Sequence, residues 1–240
     1  QKAGIDPSSI VVVAVMPCTS KKFEAQRPEM EVNGLRAVDI SLTTRELARM
    51  IHDARIDFVR LPDEECFDEL VAQSTGAAPI FGATGGVMEA ALRTAADVLE
   101  KRSVENVEYH EVRGLAGIKE ATFTLGGKEL KVAVASSTGA AKELIQRIKA
   151  GDASYAFVEV MACPGGCVNG GGQPIVSAYK RMDLDPREKR AAGLYAEDES
   201  KVIRKSHENP DIKKLYEEFL GKPNSHLAHR LLHTEYTDRS

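Results

Sequence analysis

The chain has 240 residues, 42% hydrophobic and 28% charged, ordinary proportions for a globular protein with a sizeable core. A net charge of −4 gives no footing for nucleic acid or an anionic membrane surface, and no run approaches the roughly 18 consecutive apolar residues of a transmembrane helix. Four cysteines are too few for a disulfide framework.

No cationic apolar leader opens the chain, which starts at Gln1 and enters its first apolar run at Ile10, so it reads as the C-terminal part of something longer. The β-branched run Ile10 to Val15 suits a strand buried on both faces of a parallel sheet. A polar stretch and a short apolar pulse, Val38 to Leu42, lead to Thr43-Thr44-Arg45-Glu46, a capping box; Leu47, Met50, Ile51 and Ala54 then mark one helix face. A short strand is expected at Ile56 to Leu61, then an acidic segment, then a long helix from Val87 to about Arg102 with Met88, Ala91, Leu92, Ala95 and Leu99 inward.

Residues 105 to 135 read as a small β insertion with strands at Val107 to Val112, Ala121 to Leu125 and Leu130 to Ala135, the last two joined at Gly126-Gly127. A helix presenting Ala141, Leu144, Ile145 and Ile148 follows, then a strand from Tyr155 to Met161. In the tail, Asn209 caps a helix with Pro210 at its first position, Ile212, Leu215, Tyr216 and Phe219 inward and Gly221 at its end. A last amphipathic helix covers about Ser225 to His233. Alternating strands and helices predict an α/β fold: a twisted, mostly parallel sheet flanked by helices, with the β insertion and a helical tail.

Two stretches carry the chemistry. IVVVAVMPCTSKKFEA delivers Cys18 from a strand end, and FVEVMACPGGCVNGGGQP delivers Cys163 and Cys167 from another, the position where sites form in such sheets. A C-x3-C pair alone fits zinc, an iron–sulfur cluster or no metal at all. Gly165, Gly166, Gly170, Gly171 and Gly172 remove side chains, so that amides can approach anionic sulfurs, and Met16 and Met161 stand two residues before their cysteines. Soft thioethers and bare backbone suit a dry redox pocket better than a zinc knuckle. Lys21, three residues after Cys18, could aim an ammonium at an anion beside the cluster; the plainer reading makes Lys21 and Lys22 a solvated pair.

These segments resemble the iron-only, or [FeFe], hydrogenases. MPCTSKKFEA is similar to the second signature of their catalytic domain and EVMACPGGCVNGGGQP to the third. TTRELARMI, IFGATGGVMEAALR, VRGLAGIKEA and the tail RKSHENPDIKKLYEEFLGKP with AHRLLHTEY extend the resemblance over nearly the whole chain. It implies residues 1–180 as the second lobe of that domain and 181–240 as a helical small-subunit segment. It also implies an H-cluster, a [4Fe–4S] cubane joined through one cysteine to a di-iron unit carrying CO, CN and a dithiolate, at which H2 is reversibly split into protons and electrons. Cys18 and Cys163 would ligate the cubane and Cys167 would bridge the two parts. Lys21 would hydrogen-bond a cyanide, and Glu24 matches a position near the proton route. Met16, Pro17, Phe81, Val87 and Met161 would wall the di-iron pocket, with Gly171 and Gln173 also at the cofactor.

The family's first signature, a TSCCP-type segment supplying the fourth cubane ligand and a proton-relay cysteine, is absent from this sequence. The resemblance therefore implies an upstream segment or companion chain. It also implies an electron carrier such as ferredoxin or an NAD(P)-linked module; no nucleic acid or membrane partner is expected. A tail continuous with the catalytic lobe suggests the cytoplasm. Two alternatives stay open: a hydrogenase-like iron–sulfur assembly protein, and a catalytically incomplete fragment that needs its companion. Cys66, flanked by acids, reads as incidental and the acidic run Asp63 to Glu65 as a solvated loop. Met88 reads as packing, and His226, His229 and His233 as a structural helix face rather than a metal stripe.

Overall fold

A strand precedes each cysteine turn, and each lies in a parallel pair. The computed structural model describes residues 4–62, 67–68, 72–234 and 237; the readings for Cys66 and for Asp63 to Glu65 lie outside them. The chain divides into one unit of Gln1–Glu65, Gly170–Ile175 and Lys214–Ser240, and a second of Cys66–Asn169 and Val176–Lys213. The fold is α/β.

In the first unit, β1 (Val13–Met16) leads through a turn into α1 (Ser20–Glu24), and β2 (Glu31–Val32) and β3 (Leu35–Arg36) form a small antiparallel ribbon. β4 (Ile40–Thr43) pairs in parallel with β1, Met16 opposite Thr43, and runs into α2 (Thr44–Asp53). The capping box of α2 is present: the Glu46 amide donates to Thr43 Oγ1 at 3.2 Å, and the Glu46 carboxylate accepts from the Thr43 amide at 2.8 Å. Burial corrects the strand reading. Ala14 and Met16 are half-buried, but Val11, Val13 and Val15 are exposed: of the two faces of β1 the described residues cover one in part and leave the other open.

Ile56 to Leu61 is no strand but a 3-10 turn at Phe58–Arg60, entered through left-handed Arg55. Asp57 and Arg60, three apart, pair across that turn at 3.5 Å. In the tail, α8 (Pro210–Leu215) passes into a π turn at Tyr216–Leu220 before Gly221 (φ 82°), and α9 (His226–Leu232) follows, capped by Ser225. The wider turn shifts the inward face by one residue, so Leu220 is buried and Phe219, expected inward, is exposed. His229 and His233 stack, ring centroids 4.4 Å apart.

The second unit holds the main core. α3 (Ala77–Ile80) and α4 (Gly86–Glu100) precede the hairpin β5 (Ile118–Leu125) and β6 (Lys128–Ser136), which turns at Gly126-Gly127 as the sequence predicts. α5 (Thr138–Ala150) crosses to β7 (Phe157–Met161), parallel to β6, and α6 (Ala178–Asp183) and α7 (Pro186–Ser200) complete the unit. The hairpin is thus no separate insertion: it makes one three-stranded sheet with β7. Met88, Leu92, Ala96, Tyr109, Val112, Leu125, Val132 and Val134 form the core, so Met88 is indeed packing.

Two expectations fail here. Val107 to Val112 is not a strand; its last three residues, His110–Val112, form a 3-10 turn, and Tyr109 and Val112, three apart, both point into the core, Tyr109 edge-on to Phe123 at 5.2 Å. In α5 Leu144 alone of the named face is buried, while Ile145 and Ile148 are exposed.

Candidate metal centre

Cys18 lies in the first unit and Cys163 and Cys167 in the second; none of the three is in a disulfide. Each cysteine turn is held mainly by backbone.

In the first turn, β1 ends at Met16 and the chain bends through Pro17 and Cys18, all half-buried. The GGGQP stretch lies against this bend: the Gly172 amide donates to Pro17 O at 3.0 Å, the Arg45 amide to Gly172 O at 3.3 Å, and the Arg45 guanidinium to Gln173 O at 2.9 Å. A Cβ at Gly172 would stand 2.9 Å from Cys18 N, Pro17 C and Thr43 Cβ, so the approach requires glycine. Gly171 faces the Thr19 side chain. The structure thus brings Pro17, Cys18, Gly171 and Gln173 together.

The two lysines differ. Lys22 Nζ donates to Ser41 O at 3.0 Å and meets the Glu46 carboxylate at 2.9 Å, tying α1 to β4 and α2. That ammonium, then the Thr43 amide and hydroxyl, holds the Glu46 carboxyl down at about 2. Lys22 is therefore anchored rather than loosely solvated. Lys21 meets Glu24 at 2.6 Å, with 42% and 37% of the two side chains exposed.

In the second turn, Cys163 and Cys167 are half-buried and Gly165 and Gly166 buried. The Gly165 amide donates to Ser136 Oγ, at the end of β6, at 2.7 Å. The FGATGG turn before α4 is joined to it: the Thr84 amide donates to Gly165 O at 3.1 Å, and the Val168 amide to Gly82 O at 2.9 Å. Gly166 sits at φ +97°, and a Cβ there would stand 2.6 Å from Thr84 N and 2.7 Å from Gly82 O. Phe81 and Val87, at the two ends of this turn, line an open apolar groove of about 580 Å³ with Ala90, Ala91 and Val98. Met161 is half-buried at the end of β7.

Sequence reasoning missed the groups behind this turn. Glu159, in the apolar run FVEVM, is buried and accepts from the Gly85 amide at 2.6 Å and the Met88 amide at 2.7 Å. Lys119, in GIKEATF, is buried with Nζ donating to Gly114 O at 2.7 Å and Thr84 O at 3.3 Å. A lone carboxylate inside the apolar run FVEVM is a signal that could have singled out Glu159; Lys119, beside Glu120, carries no such signal. Burial pushes Lys119 down to about 8, against the opposing charge of Glu159.

A folded pKa below the unfolded value means that the charged amine destabilises the fold at neutral pH, and that this cost lifts as pH rises from about 8 towards 10.5. The stability of the parent chain relative to Lys119→Met is therefore expected to rise by about 3 kcal/mol across that window. Urea unfolding of both at pH 7 and pH 10.5 measures it.

A family model described as "Iron only hydrogenase large subunit, C-terminal domain" matches residues 1–171, and one described as "Iron hydrogenase small subunit" matches 184–239. The chain is 52% identical over 236 residues to the NADP-reducing hydrogenase subunit HndD of Solidesulfovibrio fructosivorans, covering 98% of this chain and 39% of that protein. It is 34% identical over 244 residues to the cytosolic iron-sulfur assembly component 3 of Pongo abelii, covering 98% and 49%. Among solved structures, the [FeFe]-hydrogenase HydA1 of Chlamydomonas reinhardtii superposes with a TM-score of 0.78 at 40% identity, over 98% of this chain and 65% of that one. The chain thus spans about two fifths of the first relative and half of the second. It belongs to the iron-only hydrogenase family, of which it carries the C-terminal part of the large-subunit domain followed by the small-subunit segment.

Proposed function

We propose that this chain forms part of an iron-only hydrogenase that interconverts H2 with protons and electrons at an H-cluster. The carrying observation is the junction of the CPGGC and FGATGG turns, which makes the backbone of Cys163 and Cys167 one piece with the segment of Phe81 and Val87. The donor set fits an iron–sulfur group: soft sulfur donors outside any disulfide, half-buried, in turns whose glycines leave the backbone bare of side chains. Cys18 and Cys163 would ligate the cubane, and Cys167 would join it to the di-iron unit. When bound, the cofactor supplies the redox-active iron at which H2 is split.

The chain's own side chains do the rest. Met16, Pro17, Phe81, Val87 and Met161 would keep water from the di-iron unit, and Gly171 and Gln173 would present backbone to the cofactor. Lys21 would donate to a cyanide. Its contact with Glu24 is a half-exposed pair of the weak kind, which a buried anion would displace, leaving Glu24 for the proton route. The fourth thiolate and the relay cysteine come from an upstream segment or companion chain, and the exposed apolar residues Val11, Val13 and Val15 of the first unit offer that segment a face.

We divide the chain into a catalytic lobe, residues 1–180, and a tail, 181–240. Their continuity in one polypeptide supports a cytoplasmic setting. No described helix is long and apolar enough to cross a membrane. Electrons pass to a ferredoxin or a nicotinamide-linked module; the name of the NADP-reducing relative supports the latter.

The similarity to an iron-sulfur assembly component supports a second reading, a cluster protein that makes no hydrogen. Infrared spectroscopy of the matured protein with its upstream segment separates the two. Bands of metal-bound CO and CN, with H2 production from a low-potential donor, are expected; a loaded cubane without either would leave the assembly reading.

A further inference from the structure

The start of α4 cannot cap itself. Its N-cap is Gly85, in the left-handed region at φ 93°, and Gly86 follows, so no local side chain reaches the free amides of the first turn. Glu159 supplies the cap from β7: its two oxygens take the N-cap amide of Gly85 and the third-position amide of Met88. Glu46 takes the N-cap amide of α2 in the same manner, but from within its own helix. The helix N-terminus favours the negative carboxylate.

The sheet register explains how a distant strand reaches this spot. Lys119 on β5 lies opposite Val134 on β6, and Val134 opposite Glu159 on β7, so all three stand in one row on one face. With neighbouring strands about 4.8 Å apart, the ammonium and the carboxylate flank Val134 and meet the FGATGG turn from two sides. Lys119 takes the carbonyls of Thr84 and Gly114, while Glu159 takes amide donors. Two more groups of the turn bond the cysteine turn, Thr84 N–H to Gly165 O and Gly82 O from Val168 N–H, while the amides of Gly82, Ala83 and Gly86 bond locally to Pro79 O, Ile80 O and Ala83 O.

We propose that Glu159, with Lys119, is a positioning residue for the iron site: from the buried face of the sheet the pair fixes the FGATGG turn, and that turn fixes the backbone carrying Cys163 and Cys167. The chain of contacts is continuous, and no step in it involves a side chain that touches the cofactor. This role rests on the reading of Cys163 and Cys167 as ligands.

The test uses the protein with its upstream segment, as parent, Glu159→Gln and Lys119→Met. The glutamine keeps the volume of Glu159 but turns an N–H donor towards one of the two amides. Amide hydrogen exchange of Gly85 and Met88 is expected to speed up about tenfold or more in Glu159→Gln, with the amides of α5 unchanged as the sign of an intact fold. Iron is expected to leave the variant about tenfold faster under a ferrous chelator, and the CO and CN infrared bands to broaden. Lys119→Met, which keeps the helix cap, should move the same readouts less. Unchanged exchange at Gly85 and Met88 overturns the clamp. Faster exchange with parent-like iron release and parent-like bands overturns the positioning role. A parent that holds iron but keeps all of it in a Cys163→Ala, Cys167→Ala double variant overturns the site reading itself, a result distinct from the other two.

Discussion

Cys167→Ser, made in the protein with its upstream segment, is expected to keep most of its cubane absorbance while losing the CO and CN infrared bands and all H2 production. Serine offers a hard alkoxide in place of a soft thiolate, and of the three cysteines this is the one assigned to both metal parts. Cys167 begins the 3-10 turn Cys167–Asn169, whose Val168 amide is held by Gly82 O, so the backbone at the position is set by contacts the substitution does not touch. A folding defect would remove cubane and infrared bands together, and the split between them is the informative result. Parent-like bands would remove Cys167 from its bridging role.

The largest effect on stability is expected away from the iron. Arg93, on α4 and fully buried, has all five donors used: Nη1 and Nη2 take the two oxygens of Asp198 on α7 at 2.8 and 2.7 Å, Nη2 also takes Glu89 at 2.8 Å, Nε takes Val107 O at 2.8 Å, and Nη1 takes Arg204 O at 2.9 Å. Burial pushes the Asp198 carboxyl up, and the guanidiniums of Arg93 and Arg204 more than offset it, leaving it below the usual carboxylate range. Arg93→Met leaves Glu89 and Asp198, both buried, short of a counter-charge and frees two carbonyls. The expected loss is about 3–5 kcal/mol, and Arg93→Lys, with three donors and no fork, should recover only part of it. Urea midpoints of the three proteins give the answer; a loss under about 1 kcal/mol for Arg93→Met would show that the neighbouring arginines suffice.

Much of this was readable in the residues. The strands before both cysteine turns, the α2 capping box, the Gly126-Gly127 hairpin, α4 and α9 all stand near their expected places, because each carries a local signal that tertiary contacts reinforce. The failures occur where a distant partner decides. Val107 to Val112 alternates like a strand, but Arg93 holds Val107 O, and Glu108 faces Arg113 and Arg204, so the segment gives up ladder pairing for side-chain partners. β1 is less buried than its residues suggest because a β-branched run does not say whether both faces of its strand will be covered. At the site, the cysteine and glycine motifs were legible, being written in single residues with few other uses. Glu159 and Lys119 were not, since their role depends on a row across three strands whose register no local pattern specifies.

The central claim is that Cys18, Cys163 and Cys167 serve one iron centre. Its most direct test is the iron and acid-labile sulfide content of the protein with its upstream segment, as parent and as the single variants Cys18→Ala and Cys163→Ala. Any accessory clusters set a baseline that both variants share. The account predicts that each substitution alone removes the same complete cubane, so that the two fall to one common value. Separate, additive losses, or a parent-like content in either variant, would contradict it.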